Sequence, residues 1–241
     1  MQSMNLLYDK LAQYYDVIYA KKNFGAEAKW IYQYLKHRGS LEKGNLLDVA
    51  CGTGRHIAYW QKFYQCVGVD VSKNAINLAK KHVPRATFLV ADMRTLRLGK
   101  KFDVVTCLFG SIVYVRTLLK LRRVFRILST HIKTNGFLVI EPWISPKKFV
   151  SGFVSSSHFH VARGMLYRLS LSKKRAHGAD VDEHYLVTHS GTMRYYHDTH
   201  HLGLFDVTTI CGELKRLGFR IIHKKHFSMF PQGIIIARKL A

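Results

Sequence analysis

Acid is scarce in this chain. Only 15 Asp and Glu stand against 38 Lys and Arg, a formal net charge of +23. Such an excess favours a polyanionic partner: RNA, an anionic membrane surface or a nucleotide-linked substrate. The sequence nevertheless lacks a basic tail or a dense basic block. Its cations come as scattered doublets, among them Lys21-Lys22, Lys80-Lys81, Lys100-Lys101 and Lys224-Lys225, a pattern typical of solvated outer faces. Cysteine is scarce too. Cys51, Cys66, Cys107 and Cys211 form no C-x-x-C pair, which excludes a disulfide framework and reads as reduced, intracellular thiols. No apolar run approaches the ~20 residues of a membrane span. No secretory segment opens the chain, so a cytoplasmic protein is expected. Fourteen histidines are present, including His197, His200 and His201, but neither H-E-x-x-H nor a cysteine pair accompanies them. No metal is expected.

What is present suits one α/β domain over residues 1–241. Residues 5–20 and 25–38 read as amphipathic helices. Strands are then expected at 45–50, 66–70, 86–91, 102–109 and 136–141, with helices at 54–64, 73–83 and 116–132 between them. This alternation predicts a doubly wound, mostly parallel, seven-stranded Rossmann-like sheet. Asn135-Gly136 is expected to turn the chain into the fifth strand. From about residue 150 a Ser- and His-rich tract leads into period-two segments with turns at His177-Gly178 and Ser190-Gly191. A small antiparallel lid over 150–201 is expected there, inserted after strand 5. A helix over 206–217 and a hairpin at 219–227 and 233–238 close the sheet.

The most informative stretch is Asn45-Leu46-Leu47-Asp48-Val49-Ala50-Cys51-Gly52-Thr53-Gly54, followed by Val67-Gly68-Val69-Asp70. It spells strand, tight glycine turn, helix, strand, carboxylate. Glycines let the backbone approach a ligand, a helix start offers unpaired N–H groups, and Asp70 can accept hydrogen bonds from a ribose diol. A dinucleotide site would carry a third glycine or alanine three residues after Gly54, where Ile57 stands. Asp48 beside the turn would repel a pyrophosphate and suits a cationic ligand.

The string resembles motif I of the class I S-adenosylmethionine-dependent methyltransferases. The resemblance implies a cofactor site of Tyr15, Asp48, Ala50, Cys51, Gly52, Thr53, Gly54, Asp70, Val71 and Leu108, with Asp92 and Met93 reading adenine. Asp103 opens the fourth strand and is expected to be structural. Phe109-Gly110-Ser111-Ile112-Val113-Tyr114-Val115, Glu141-Pro142-Trp143 and the segment from Arg194 to Phe205 further resemble small N,N-dimethyltransferases of nucleotide-linked amino-deoxysugars. That likeness implies N-methylation of an amine, with Tyr114 and His200 as catalytic candidates. Tyr14, Glu141 and Arg194 are expected to bind substrate, Arg194 by meeting a phosphate.

Two other readings stand beside this one. One is an RNA or ribonucleoprotein methyltransferase using the basic surface; the other is a non-catalytic cofactor-binding partner. The Asp/Asn-Pro-Pro-Phe/Tyr tetrapeptide of base-amine methyltransferases is absent, and no separate RNA-binding module is visible. A homodimer is left open.

Overall fold

In a computed structural model, which describes residues 6–40 and 42–240, strands and helices alternate as the sequence predicts. A short 3-10 turn at Leu6–Tyr8 precedes α1 (Ala12–Ile18) and α2 (Phe24–Lys36). Then follow β1 (Asn45–Val49), α3 (Ile57–Trp60), β2 (Gln65–Asp70), α4 (Lys73–His82), β3 (Thr87–Val90) and β4 (Phe102–Cys107). A 3-10 turn at Ser111–Val115 leads to α5 (Leu118–Thr130) and β5 (Ile132–Ile140). The next four strands are β6 (Val154–Val161), β7 (Gly164–Arg175), β8 (Gly178–His189) and β9 (Thr192–Leu202). The chain closes with α6 (Val207–Arg216), β10 (Phe219–Phe227) and β11 (Phe230–Lys239).

The main sheet has seven strands in the order β10-β11-β5-β4-β1-β2-β3. β11 alone runs against its neighbours, β10 and β5; the other pairings are parallel. Helices cover both faces, so adjacent strand residues enter opposite cores. Leu46 joins Ile31, Trp60 and Ile76 on one face; Leu47 joins Leu121, Phe125 and Ile210 on the other. β4, at the centre, is buried along its whole length, as a strand covered on both faces must be. The strand order reverses between β1 and β4, which opens a crevice at their carboxyl ends.

The second sheet, β6-β7-β8-β9, is antiparallel and inserted between β5 and α6. Its inward face carries Leu166, Tyr185 and Val187, which pack on Leu7, Leu11 and Ile18 of the N-terminal segment. That segment also joins the two sheets by hydrogen bonds. The Leu7 N–H donates to Asp198 Oδ2 on β9 at 3.0 Å, and Ser72 Oγ, beside β2, donates to the Tyr8 carbonyl.

Several boundaries differ from expectation. The single helix over 5–20 is two pieces, because the Tyr8 carbonyl is taken by Ser72 and the Leu11 N–H reaches back to the Leu6 carbonyl, which interrupts the helical ladder. Residue 5 lies outside the described residues. The helix over 54–64 shrinks to α3, since the glycine turn occupies residues up to His56. β4 stops at Cys107 and Phe109 turns away with φ +53°. Asn135-Gly136 does not start β5. Asn135 sits within the strand at φ +65°, beside a register break opposite Phe102 to Val104. The Ser- and His-rich tract is itself a strand, β6.

Candidate active site

The glycine turn closes the carboxyl end of β1. Gly52 has φ +54°, and a Cβ there would meet no heavy atom within 4 Å, so the backbone faces open space. Gly54 has φ +79° and is crowded: a Cβ would lie 3.1 Å from the Phe88 ring and 3.2 Å from Ala79. The first glycine leaves room for a ligand; the second lets the turn pack on β3 and α4. Ala50 is also left-handed, φ +58°, a strain that structure around a binding site sustains.

Asp70 ends β2 facing this turn. Its Oδ2 accepts the Gly52 N–H at 2.9 Å and its Oδ1 the Ser72 N–H at 2.8 Å. Burial raises its carboxyl against the lowering pull of those amides. Each oxygen keeps a lone pair for a further donor. Asp48 is 2 % exposed and takes the Thr106 hydroxyl at 2.7 Å. Burial pushes its carboxyl up to about 6, with His56 and Thr106 opposing. A narrow cavity lies beside Asp48, lined also by Tyr15, Ala50 to Thr53, Leu108 and Phe109 among others; Asp70 borders it only through the Gly52 N–H it accepts. Asp92 is clamped by Arg94, whose Nε lies 2.8 Å from Oδ2. Met93 packs on the main core. Asp103 accepts the Asn45 N–H at 2.8 Å and pairs with Lys133, the structural part its position predicts.

Beyond Phe109 lies a larger cavity of about 810 Å³ between the two sheets. One wall is a polar chain. Tyr8 and Tyr114 share a hydrogen bond of 2.9 Å, and the Tyr114 hydroxyl meets His200 Nδ1 at 2.6 Å. His200 is 4 % exposed. Its Nε2 stands 3.4 Å from both Glu183 and Asp198, an electrostatic contact without hydrogen-bond geometry. Burial pushes the phenols of Tyr8, Tyr19 and Tyr114 upward, keeping them neutral donors. Burial would also raise Glu183, but His200, the Tyr185 hydroxyl and Arg168 hold it below the ordinary carboxylate range.

Glu141, which follows β5, lines the same cavity. Its Oε2 accepts the Phe109 N–H at 2.7 Å. Lys22 pairs with Glu27 at 2.5 Å and lies 3.8 Å from Glu141 Oε1, with its ammonium 4.5 Å over the Phe109 ring. Glu27 also meets His56 Nε2 at 2.8 Å. This network spans both cavities, because His56 and Phe109 line the narrow one.

The structure thus brings together Tyr15, Asp48, Ala50 to Gly54, Asp70 and Leu108 at one site, and Tyr114, His200 and Glu141 at the next. Two expected substrate contacts do not join them. Tyr14 lines neither cavity; it packs on the cluster of Leu7, Leu11 and Tyr185. Arg194 is exposed near the β8–β9 turn, opposite Val187. Six residues of strand separate it from His200, roughly 20 Å. Sequence reading missed Tyr8, Lys22, Glu27 and Glu183. Tyr8 carries no signal. Glu27 lies beside an apolar helix stripe of Phe24, Ala28, Ile31 and Leu35, and Glu183 alternates with Val181, Tyr185 and Val187. A carboxylate on an otherwise apolar face was the available sign.

The family model described as a methyltransferase domain matches residues 46–136. The dTDP-3-amino-3,4,6-trideoxy-alpha-D-glucopyranose N,N-dimethyltransferase of Streptomyces venezuelae is 32% identical, over 87% of this chain and 90% of its own length. The dTDP-4-amino-2,3,4,6-tetradeoxy-D-glucose N,N-dimethyltransferase of Saccharopolyspora spinosa is 34% identical, over 87% and 85%. Among solved structures, Streptomyces venezuelae DesVI superposes with a TM-score of 0.87 at 29% identity, covering 96% of this chain and 98% of that one. The S-adenosylmethionine-bound amino pentose methyltransferase CalS10 of Micromonospora echinaspora gives 0.83 at 25%, covering 93% and 96%. The open face at Gly52, the buried Asp48, the half-buried Asp70 and the absence of a third glycine fit that cofactor's ammonium and ribose. The chain belongs to the S-adenosylmethionine-dependent methyltransferases, in the family of these amino-sugar N,N-dimethyltransferases.

Proposed function

We propose that the protein methylates the amino group of a nucleotide-linked amino sugar, held in the large cavity. One observation carries the reading: the distribution of charge. Glu27, Asp48, Asp103, Glu141, Asp180, Glu183, Asp198 and Glu213 are buried, whereas among the described residues no lysine or arginine is. Carboxylates therefore line the interior and cations cover the surface. Glu27, Glu141 and Glu183 border the cavity, with Lys22 offsetting part of their charge between the first two, and Lys21 borders it from an exposed position. Such a site draws a cationic amine inward and leaves an anionic carrier at the cationic rim.

S-adenosylmethionine supplies an electrophilic methyl group when bound. Asp48 would face its ammonium, Asp70 its ribose, and the turn from Ala50 to Gly54 with Tyr15, Val71 and Leu108 would enclose it. Asp92, fixed by Arg94, and the Met93 backbone would meet adenine. Methyl transfer needs alignment and a dry site more than it needs acid catalysis. Tyr114, held neutral and fixed between Tyr8 and His200, would orient the acceptor nitrogen. The four-stranded sheet from β6 to β9 serves as the lid that excludes water.

The test is methylation of dTDP-3-amino and dTDP-4-amino deoxysugars, with tRNA as competitor. Turnover of a sugar nucleotide, unaffected by tRNA, is expected. Transfer that tRNA blocks at low salt and high salt restores would assign the basic surface to RNA instead.

A further inference from the structure

We propose that Glu141 takes the proton which the acceptor amine sheds at each methylation, with Lys22 as its resident counterion. This rests on the reading of the large cavity as the amine site. Three carboxylates border that cavity, and two of them are already engaged. Glu27 is held by Lys22 and by His56. Glu183 receives the Tyr185 and Ser170 hydroxyls and faces His200 and Arg168. Glu141 differs. Its Oε2 is pinned by the Phe109 N–H at 2.7 Å, while the cation nearest Oε1 among the described residues is Lys22 at 3.8 Å, beyond hydrogen-bond reach. Oε1 is therefore an acceptor with spare lone pairs, on a residue that lines the cavity.

Its placement matches the reaction. Phe109, which fixes Oε2, lines both cavities and is itself fixed at φ +53°. Glu141 thus stands where a bound amine would meet the methyl donor. The nitrogen lone pair becomes the new nitrogen–carbon bond, the carbon–sulfur pair stays on the departing thioether, and the nitrogen's proton passes to Oε1. A second methylation requires this loss, because the first product is an ammonium without a lone pair. Burial raises the Glu141 carboxyl, which makes it a better proton acceptor, while Lys22 and His56 oppose the shift and Glu27 adds to it. Lys21, Glu183, His200 and the phenols of Tyr8, Tyr19 and Tyr114 line the same cavity.

The test uses the full chain with dTDP-3-amino-3,4,6-trideoxyglucose. Glu141→Gln keeps an acceptor for the Phe109 N–H but takes no proton. Its kcat at pH 7 should fall roughly 100-fold, with the loss shrinking above pH 9, where the amine enters unprotonated. Without cofactor present, its affinity for the amino sugar nucleotide at pH 7 should fall roughly tenfold, as a charge-assisted hydrogen bond is lost. Lys22→Met removes the opposing cation, so the acid limb of the kcat profile should move to higher pH. If Glu141→Gln matches the native chain in both turnover and affinity, the assignment is wrong. If that variant does not fold, an unmoved acid limb in Lys22→Met overturns it. A native chain that does not methylate the amino sugar refutes the substrate reading instead.

Discussion

Asp48→Asn should make the protein more stable and a poorer binder of its cofactor. Asp48 is 2 % exposed, and the Thr106 hydroxyl donates to it, a bond that an asparagine oxygen can keep. Its carboxyl rises from 3.8 to about 6, chiefly through burial. The folded state therefore holds a proton that the unfolded chain has lost between pH 4 and 6. Stability falls as pH rises through that window, because ionising a desolvated acid costs free energy. Two pKa units correspond to about 3 kcal/mol at pH 8 and to about half of that at pH 5. Urea unfolding without cofactor should show Asp48→Asn more stable by those amounts. Calorimetry should show S-adenosylmethionine binding weakened by about 1.5–3 kcal/mol, since a charge-assisted contact to the ammonium is gone. This is the expected exchange of stability for function at a strained site. Equal stability of variant and native chain at pH 8 would show that Asp48 carries no ionisation strain, and the argument would fail.

Asp70→Ala should weaken the cofactor by about 1.5–3 kcal/mol and free the Gly52 and Ser72 amides, which calorimetry would register as lost affinity. Gly54→Ala should cost about 1–3 kcal/mol in urea unfolding, because the new Cβ meets Phe88 and Ala79 at a positive φ. Arg194→Ala should leave the acceptor KM unchanged; a large rise would return Arg194 to the substrate site despite its distance from His200.

The strand, glycine turn and acid were legible because they are local. Strand, glycine turn and acid lie within 26 residues, from Asn45 to Asp70, and backbone geometry alone demands glycine at Gly52 and Gly54. Alternating strands and helices fixed the parallel sheet for the same reason: each element's period is written in its own residues. The boundaries that failed were decided from outside the segment. Ser72 takes the Tyr8 carbonyl across the fold, and Asn135 answers a register break against β4. The large cavity was legible only in part. Tyr114 and His200 lie 86 residues apart and meet at 2.6 Å because β9 turns His200 inward, whereas the same strand carries Arg194 away. Lys22 comes from the turn before α2, Glu27 from α2 and Glu141 from the segment after β5, and only packing makes them a network. A sequence records the charge of such groups. Tertiary structure decides which of them face each other out of water, and there charge acquires its chemical use.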